Sequence, residues 1–210
     1  MFFKDKKSPF SASAAVLGEK GFCADYLDAL NADISCVKKA KELEKGKSYL
    51  CNALVIMGRL TEAYEVFQGI NLKRLDKGLA PNLTHHVIFS LFARDKLSEA
   101  DNIYREQNEI VLSEHTDGMR RTLAIHEYIN GRYENAVTVL AKLLGGEVRF
   151  LDICLIKSML RLDMYERASE LSGGLAKYKG LSELGDEALR LEAQISEGFN
   201  TNRLKKRKKQ

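Results

Sequence analysis

A six-residue pattern returns four times along this chain of 210 residues, and it restricts the fold more than any other feature. Gly58-Arg59-Leu60-Thr61-Glu62-Ala63, Asp95-Lys96-Leu97-Ser98-Glu99-Ala100, Gly131-Arg132-Tyr133-Glu134-Asn135-Ala136 and Asp163-Met164-Tyr165-Glu166-Arg167-Ala168 share one form. It is Gly or Asp, a long side chain, Leu or Tyr, two mostly polar residues, then Ala. The alanines stand 37, 36 and 32 residues apart. Gly or Asp suits a tight turn, Leu or Tyr seals a corner between helices, and Ala lets two helix backbones come close.

The flanking residues say what the turn connects. Across 119–144, Leu123, Ile125, Tyr128 and Ile129 precede Asn130-Gly131, and Tyr133, Ala136, Val137, Val139, Leu140 and Leu143 follow it at helical spacing. Neither short helix buries such a stripe alone, so the pairs must stack. With two prolines, no alternating apolar run, 45% hydrophobic and 30% charged residues, the chain reads as an all-α, water-soluble protein.

The repeated unit resembles the tetratricopeptide repeat, a helix-turn-helix of about 34 residues with Gly, Tyr and Ala at related offsets. On that frame the units begin near Glu44, Pro81, Asp117 and Arg149. The first-helix Leu is matched by Leu50, Val87, Leu123 and Leu155, and the small residue after it by Cys51, Ile88, Ala124 and Ile156. The later large position holds Phe67, Tyr104, Leu140 and Ser172. The family's early Trp and closing Pro are missing, and the intervals of 37 and 36 put extra residues around 71–80 and 113–118. The resemblance implies a right-handed α-α superhelix of about four such helix pairs over 44–180, with flanking capping helices.

In the family, the first helices line a concave groove that receives a partner peptide or helix. Carrying those offsets over gives Lys45, Ser48, Asn52 and Val55 in unit one, and Asn82, His85, Phe89 and Phe92 in unit two. Unit three contributes Arg121, Ile125 and Tyr128, and unit four Phe150, Ile153, Lys157 and Leu160. The expected partner-binding set is Asn52, His85, Phe89, Phe92, Arg121, Ile125, Tyr128 and Lys157. Phe89, Phe92 and Tyr128 have a second expected place, the core between repeats. Members that clamp a C-terminal carboxylate use positions occupied here by Ser48, Asn52, His86, Gly118 and Thr122. Only Asn52 matches, so that ligand is not expected.

Outside the array, residues 1–22 read as a mobile start in which Gly18 and Gly21 break any helix. Residues 23–43 read as a helical segment with a break near Asn31–Asp33, ended by Gly46. Residues 181–199 read as a closing helix with Leu184, Leu189, Leu191 and Ile195 on its apolar side. The tail, 200–210, holds Arg203, Lys205, Lys206, Arg207, Lys208 and Lys209, and without these six the formal charge falls from +4 to −2. The body is therefore not basic, and any nucleic acid or anionic surface is expected to meet the tail alone.

No H-E-x-x-H, P-loop, dinucleotide-binding glycine pattern or G-x-S-x-G occurs, so neither catalysis nor a cofactor is expected. Cys23, Cys36, Cys51 and Cys154 form no C-x-x-C pair and read as core thiols rather than metal ligands. Lys4 to Lys7 follow Met1-Phe2-Phe3 with no secretory apolar core, and no stretch reaches the roughly 18 apolar residues of a membrane span. The expected protein is a cytoplasmic scaffold, non-enzymatic, whose groove holds a partner segment or a second copy of the chain. The alternative is a tether whose tail supplies the affinity.

Overall fold

In the computed structural model the described residues are 8–113 and 116–207, with side chains described to residue 201. All regular structure among them is helical. The four units fall where the motif places them. They are α3 (Ala40–Ile56) with α4 (Leu60–Gln68), α5 (Leu79–Ala93) with α6 (Leu97–Glu106), α8 (Asp117–Ile129) with α9 (Tyr133–Ala141), and α10 (Leu151–Leu160) with α11 (Tyr165–Leu171). Before them lie α1 (Ser11–Lys20) and α2 (Ala24–Ser35), between them the short α7 (Asn108–Val111), and after them α12 (Ser182–Arg207).

One turn geometry makes every pair. Gly58, Asp95, Gly131 and Asp163 all adopt a left-handed backbone, with φ of 77°, 56°, 75° and 54°. The following N–H groups of Arg59, Lys96, Arg132 and Met164 reach back five residues to the carbonyls of Leu54, Leu91, Glu127 and Met159, at 2.8–3.1 Å. The left-handed residues' own N–H groups bond the carbonyls of Val55, Phe92, Tyr128 and Leu160, and this double closure satisfies the last carbonyls of each first helix and reverses the chain. Arg59, Lys96, Arg132 and Met164 then accept from Ala63, Ala100, Ala136 and Ala168 at 3.0–3.1 Å, which starts each second helix. All four alanines are fully buried, opposite the buried Cys51, Ile88, Ala124 and Ile156. In unit one the contact is close enough for Cys51 Sγ to donate to the Ala63 carbonyl at 3.1 Å.

Stacking repeats in the same way. Each first helix packs on its own second helix and on the first helix of the next unit, while each second helix also touches that next first helix. At the end α12 takes the place of a next first helix, packing on both α10 and α11 with Leu184, Ala188, Leu191 and Ile195 buried. Where Ser172 stands at the large position of unit four, the chain tightens into a 3₁₀ helix, Ser172–Tyr178, whose Leu175 and Tyr178 fill the core instead.

The ends differ from the expectations. Gly18 lies inside α1, and only Gly21 (φ 71°) ends it. The helix exists because Phe10 just before it is buried edge-on to Tyr49 and because Ser13 N donates to Asp33 Oδ2 at 2.9 Å. Asp33 thus ties α1 to α2 instead of starting a helix. Gly46 does not end a helix either: it lies within α3, where a Cβ would meet Ile34 at 2.7 Å and Phe10 at 2.8 Å. The closing helix runs eight residues past Phe199, to Arg207, so much of the tail continues it.

Gly131 and Gly58 separate backbone strain from crowding. A Cβ at Gly131 meets nothing within 4 Å, whereas one at Gly58 stands 2.9 Å from the Leu181 carbonyl oxygen. Gly131→Ala is expected to cost about 1 kcal/mol, the price of a left-handed alanine alone. Gly58→Ala is expected to cost clearly more, because Leu181 must also move; urea midpoints of the two variants check the order.

Candidate interaction groove

The first helices α3, α5, α8 and α10 bring the expected groove residues to one side of the array, but that side is largely filled. His85, Phe89, Phe92, Arg121, Ile125, Tyr128 and Lys157 are all buried, and Asn52 is half-buried. They do meet one another. They meet as packing, which corrects the expectation of an open surface for His85, Arg121, Ile125 and Lys157 and puts Phe89, Phe92 and Tyr128 in their second expected place, the core.

Two clusters close the face. At the C-terminal end of α5, Lys157 Nζ from α10 donates to the carbonyls of Phe92 (3.1 Å) and Ala93 (3.3 Å), to Asp95 Oδ1 (2.8 Å) and to Glu187 Oε1 (2.9 Å). A cation at the negative end of a helix dipole is favourably placed. Arg190 of α12 grips both Glu187 oxygens and also reaches Asp95 Oδ2 at 2.8 Å. Phe92 lies under the Lys157 ammonium, 4.9 Å from its ring centre, and edge-on to Tyr128 at 5.0 Å. The closing helix therefore lies across this end of the groove. Beside it a polar cavity of about 650 Å³ remains among Tyr128, Arg161, Tyr165, Arg190 and Gln194.

The second cluster lies along the middle of α5 and near the N-terminal end of α8. Phe150 stacks on Phe89 at 4.3 Å with planes 7° apart, and the Arg121 guanidinium sits 5.4 Å and 5.8 Å from the two ring centres. Arg121 is only 2% exposed. It donates to the carbonyls of Arg149 (2.6 Å) and His85 (3.3 Å), and among the described residues no carboxylate pairs with it and its Nε has no partner. His85 Nδ1 pairs with Thr122 Oγ1 at 3.0 Å, and His86 Nδ1–H donates to Asn52 Oδ1. Burial first, and the Arg121 charge second, push His85 down to about 4 and His86 to about 3. Burial likewise lowers the Arg121 guanidinium from its ordinary value.

What stays open on this side is a cleft of about 330 Å³, walled by Asn52 and Ile56 of α3, Asn82 and His86 of α5, Arg121 of α8 and the loop carrying Val148 and Arg149. Phe22, a large apolar side chain 36% exposed, stands at its rim. The groove offsets include Asn52, Asn82 and Arg121 but miss Phe22, Ile56 and the loop, because those belong to the ends of helices and to connections. A wider hollow of about 1100 Å³ lies between α4 and α6, lined by Tyr64, Phe67, Ile70, Ile103 and Ile110 among others. It carries no buried polar group without a partner among the described residues.

The described residues hold no cluster of three or more His, Cys, Asp or Glu able to bind a metal. Burial pushes the thiols of Cys51 and Cys154 up to about 12, which leaves them as inert core groups at neutral pH. No described helix is long and apolar enough to cross a membrane. The tail residues Arg203, Lys205, Lys206, Arg207, Lys208 and Lys209 lie outside the described side chains.

The two depressed histidines give a pH dependence. Unfolded, each takes up a proton as pH falls below about 6.5; folded, neither does until about 4 or below. Their contribution to stability is therefore full above pH 6.5 and lost on acidification, at up to about 1.4 kcal/mol per pH unit for each ring. His85→Gln is expected to flatten the fall between pH 6.5 and 4.5 by one proton's worth, measured as the difference in urea midpoint against the parent chain.

Compared with family models, with curated proteins and with solved structures, the chain matches none, so the reading of the groove rests on its own geometry.

Proposed function

We propose that this chain is a cytosolic, non-enzymatic protein-interaction scaffold of the tetratricopeptide type, a right-handed superhelix that receives a partner's peptide or helix on the side lined by its first helices. The observation that carries the reading is the cleft to which three successive first helices and the loop before α10 all contribute. Its walls combine exposed apolar surface at Phe22 with half-buried Ile56 and the amides of Asn52 and Asn82. Such a mixture suits apolar anchoring with side-chain hydrogen bonds to an extended main chain. Because Lys157, Glu187 and Arg190 fix α12 over the other end, the partner segment is short or enters from the α3 side.

A second reading is favoured by the tail. The backbone of α12 stays helical to Arg207, so four of the six terminal cations belong to a continuation of the closing helix. As a tether, that helix would bind polyanions with strong salt dependence.

Ile56→Arg combined with Asn82→Arg fills the cleft without touching the buried core. In affinity capture at about 0.5 M salt, where tail contacts are screened, the parent chain and one ending at Phe199 are expected to retain the same protein. The double variant is expected to lose it while keeping its thermal midpoint. Retention by the full chain alone, abolished by salt, would favour the tether instead.

A further inference from the structure

The loop between α9 and α10 is held in an unusual way. Phe150, the residue before α10, has φ 63° and ψ 15°, a left-handed backbone that an aromatic residue rarely adopts. Gly145 at φ 90° sets the loop's start, and Glu147 and Arg149 between them are exposed. The twist sends the Phe150 ring inward, onto Phe89, edge-on to His86 at 6.1 Å and near Tyr178 at 6.1 Å. The same loop supplies the Arg149 carbonyl, one of the two acceptors that the buried Arg121 has among the described residues. The cleft opens directly beside it, with Glu147, Val148 and Arg149 as one wall.

These facts describe a slot for an aromatic ring that the chain fills with its own. Phe89 offers a flat face, Arg121 a cation without a carboxylate, and His86 an edge; together they select a planar ring with an oxygen acceptor next to it. We propose that Gly145–Phe150 is a displaceable plug, and that the slot beneath it takes an aromatic side chain of a partner's peptide entering through the cleft. The partner residue's own carbonyl then replaces that of Arg149 on Arg121. This rests on the scaffold reading above and names the chemistry of its partner.

Phe150→Gly tests it, since glycine adopts this backbone freely and removes the ring. The probes are N-acetyl-phenylalanine amide and N-acetyl-leucine amide, followed by NMR at the Arg121 Nε–H and the His86 ring. The variant of the full chain is expected to bind the phenylalanine amide at least about tenfold tighter than the parent does and to prefer it to the leucine amide by a similar factor. Equal affinity of variant and parent, or no preference for the aromatic probe, overturns the proposal. Hydrogen exchange on the parent chain decides the matter even if the variant fails to fold. Millimolar N-acetyl-phenylalanine amide is expected to speed exchange of the Leu151 and Cys154 amides, which are bonded to the Val148 and Phe150 carbonyls, at least about tenfold while leaving 156–159 unchanged; no acceleration, or an equal one with the leucine amide, overturns it. If the plug fails while Ile56→Arg with Asn82→Arg still abolishes capture, the plug alone falls and the scaffold reading stands.

Discussion

The structure depends on a left-handed residue at four places. Gly58, Asp95, Gly131 and Asp163 each let a first helix end with its last carbonyls satisfied and the next helix begin within two residues. A right-handed residue there would carry the chain onward, and the buried alanine five residues later would no longer face its own first helix. The turn therefore fixes the crossing of the two helices, and the crossing in turn fixes which side of each pair faces the next. Glycine meets the requirement without penalty. Aspartate meets it at some cost in backbone energy, and at 95 and 163 its carboxylate has a second use. Asp95 binds Lys157 and Arg190, and Asp163 accepts from the Tyr165 hydroxyl at 2.7 Å.

Turns of this kind also give α12 its course. Leu181 packs its backbone against Gly58, Glu183 accepts from Thr61 N and Oγ1 at 2.8 Å, and Glu187 and Arg190 engage Lys157 and Asp95. Gly198 lies so close to the Tyr165 ring that a Cβ there would overlap it. One helix thus touches units one, two and four, which a cap on the last repeat alone would not do. Glu187 and Lys157, both nearly buried, add little net stability over an apolar pair of the same size. They do fix the register of α12, since a slip by one residue would leave two charges buried without partners.

Much of this was legible in the sequence because it is local. The four motifs identify the turn, the alanine contact and the order of the pairs, and these rest on backbone conformation and on helical spacing. The helix α1 was not legible: its apolar moment is weak, and it is held by Phe10 and by Asp33, twenty residues from Ser13. Gly46 reads as a stop in isolation and is a point of close approach in the fold, a distinction that depends on Phe10 and Ile34. The expected groove residues lie on a side of the first helices that is largely filled. Whether that side is open depends on how far α10 closes toward α5 across α8, and nothing in the spacing of the repeats encodes it.

That closure leaves a cost that the rest of the fold does not offset. Arg121 is buried beside two phenylalanines with backbone carbonyls as its acceptors and, among the described residues, no anion. Removing an arginine from water without a counter-ion costs several kcal/mol, about what a leucine at the same place would avoid entirely. The aromatic faces and the two carbonyls recover part of it. Phe150 adds a second cost of about 1–3 kcal/mol through its left-handed backbone. Two such costs meeting at one contact, at the edge of the open cleft, are hard to reconcile with a site shaped only for stability. A core designed for that end would use an apolar side chain at 121 and a glycine at 150. The pairing found here instead keeps a polar, ring-selective slot intact while filling it with a residue that is easier to dislodge than a relaxed one would be.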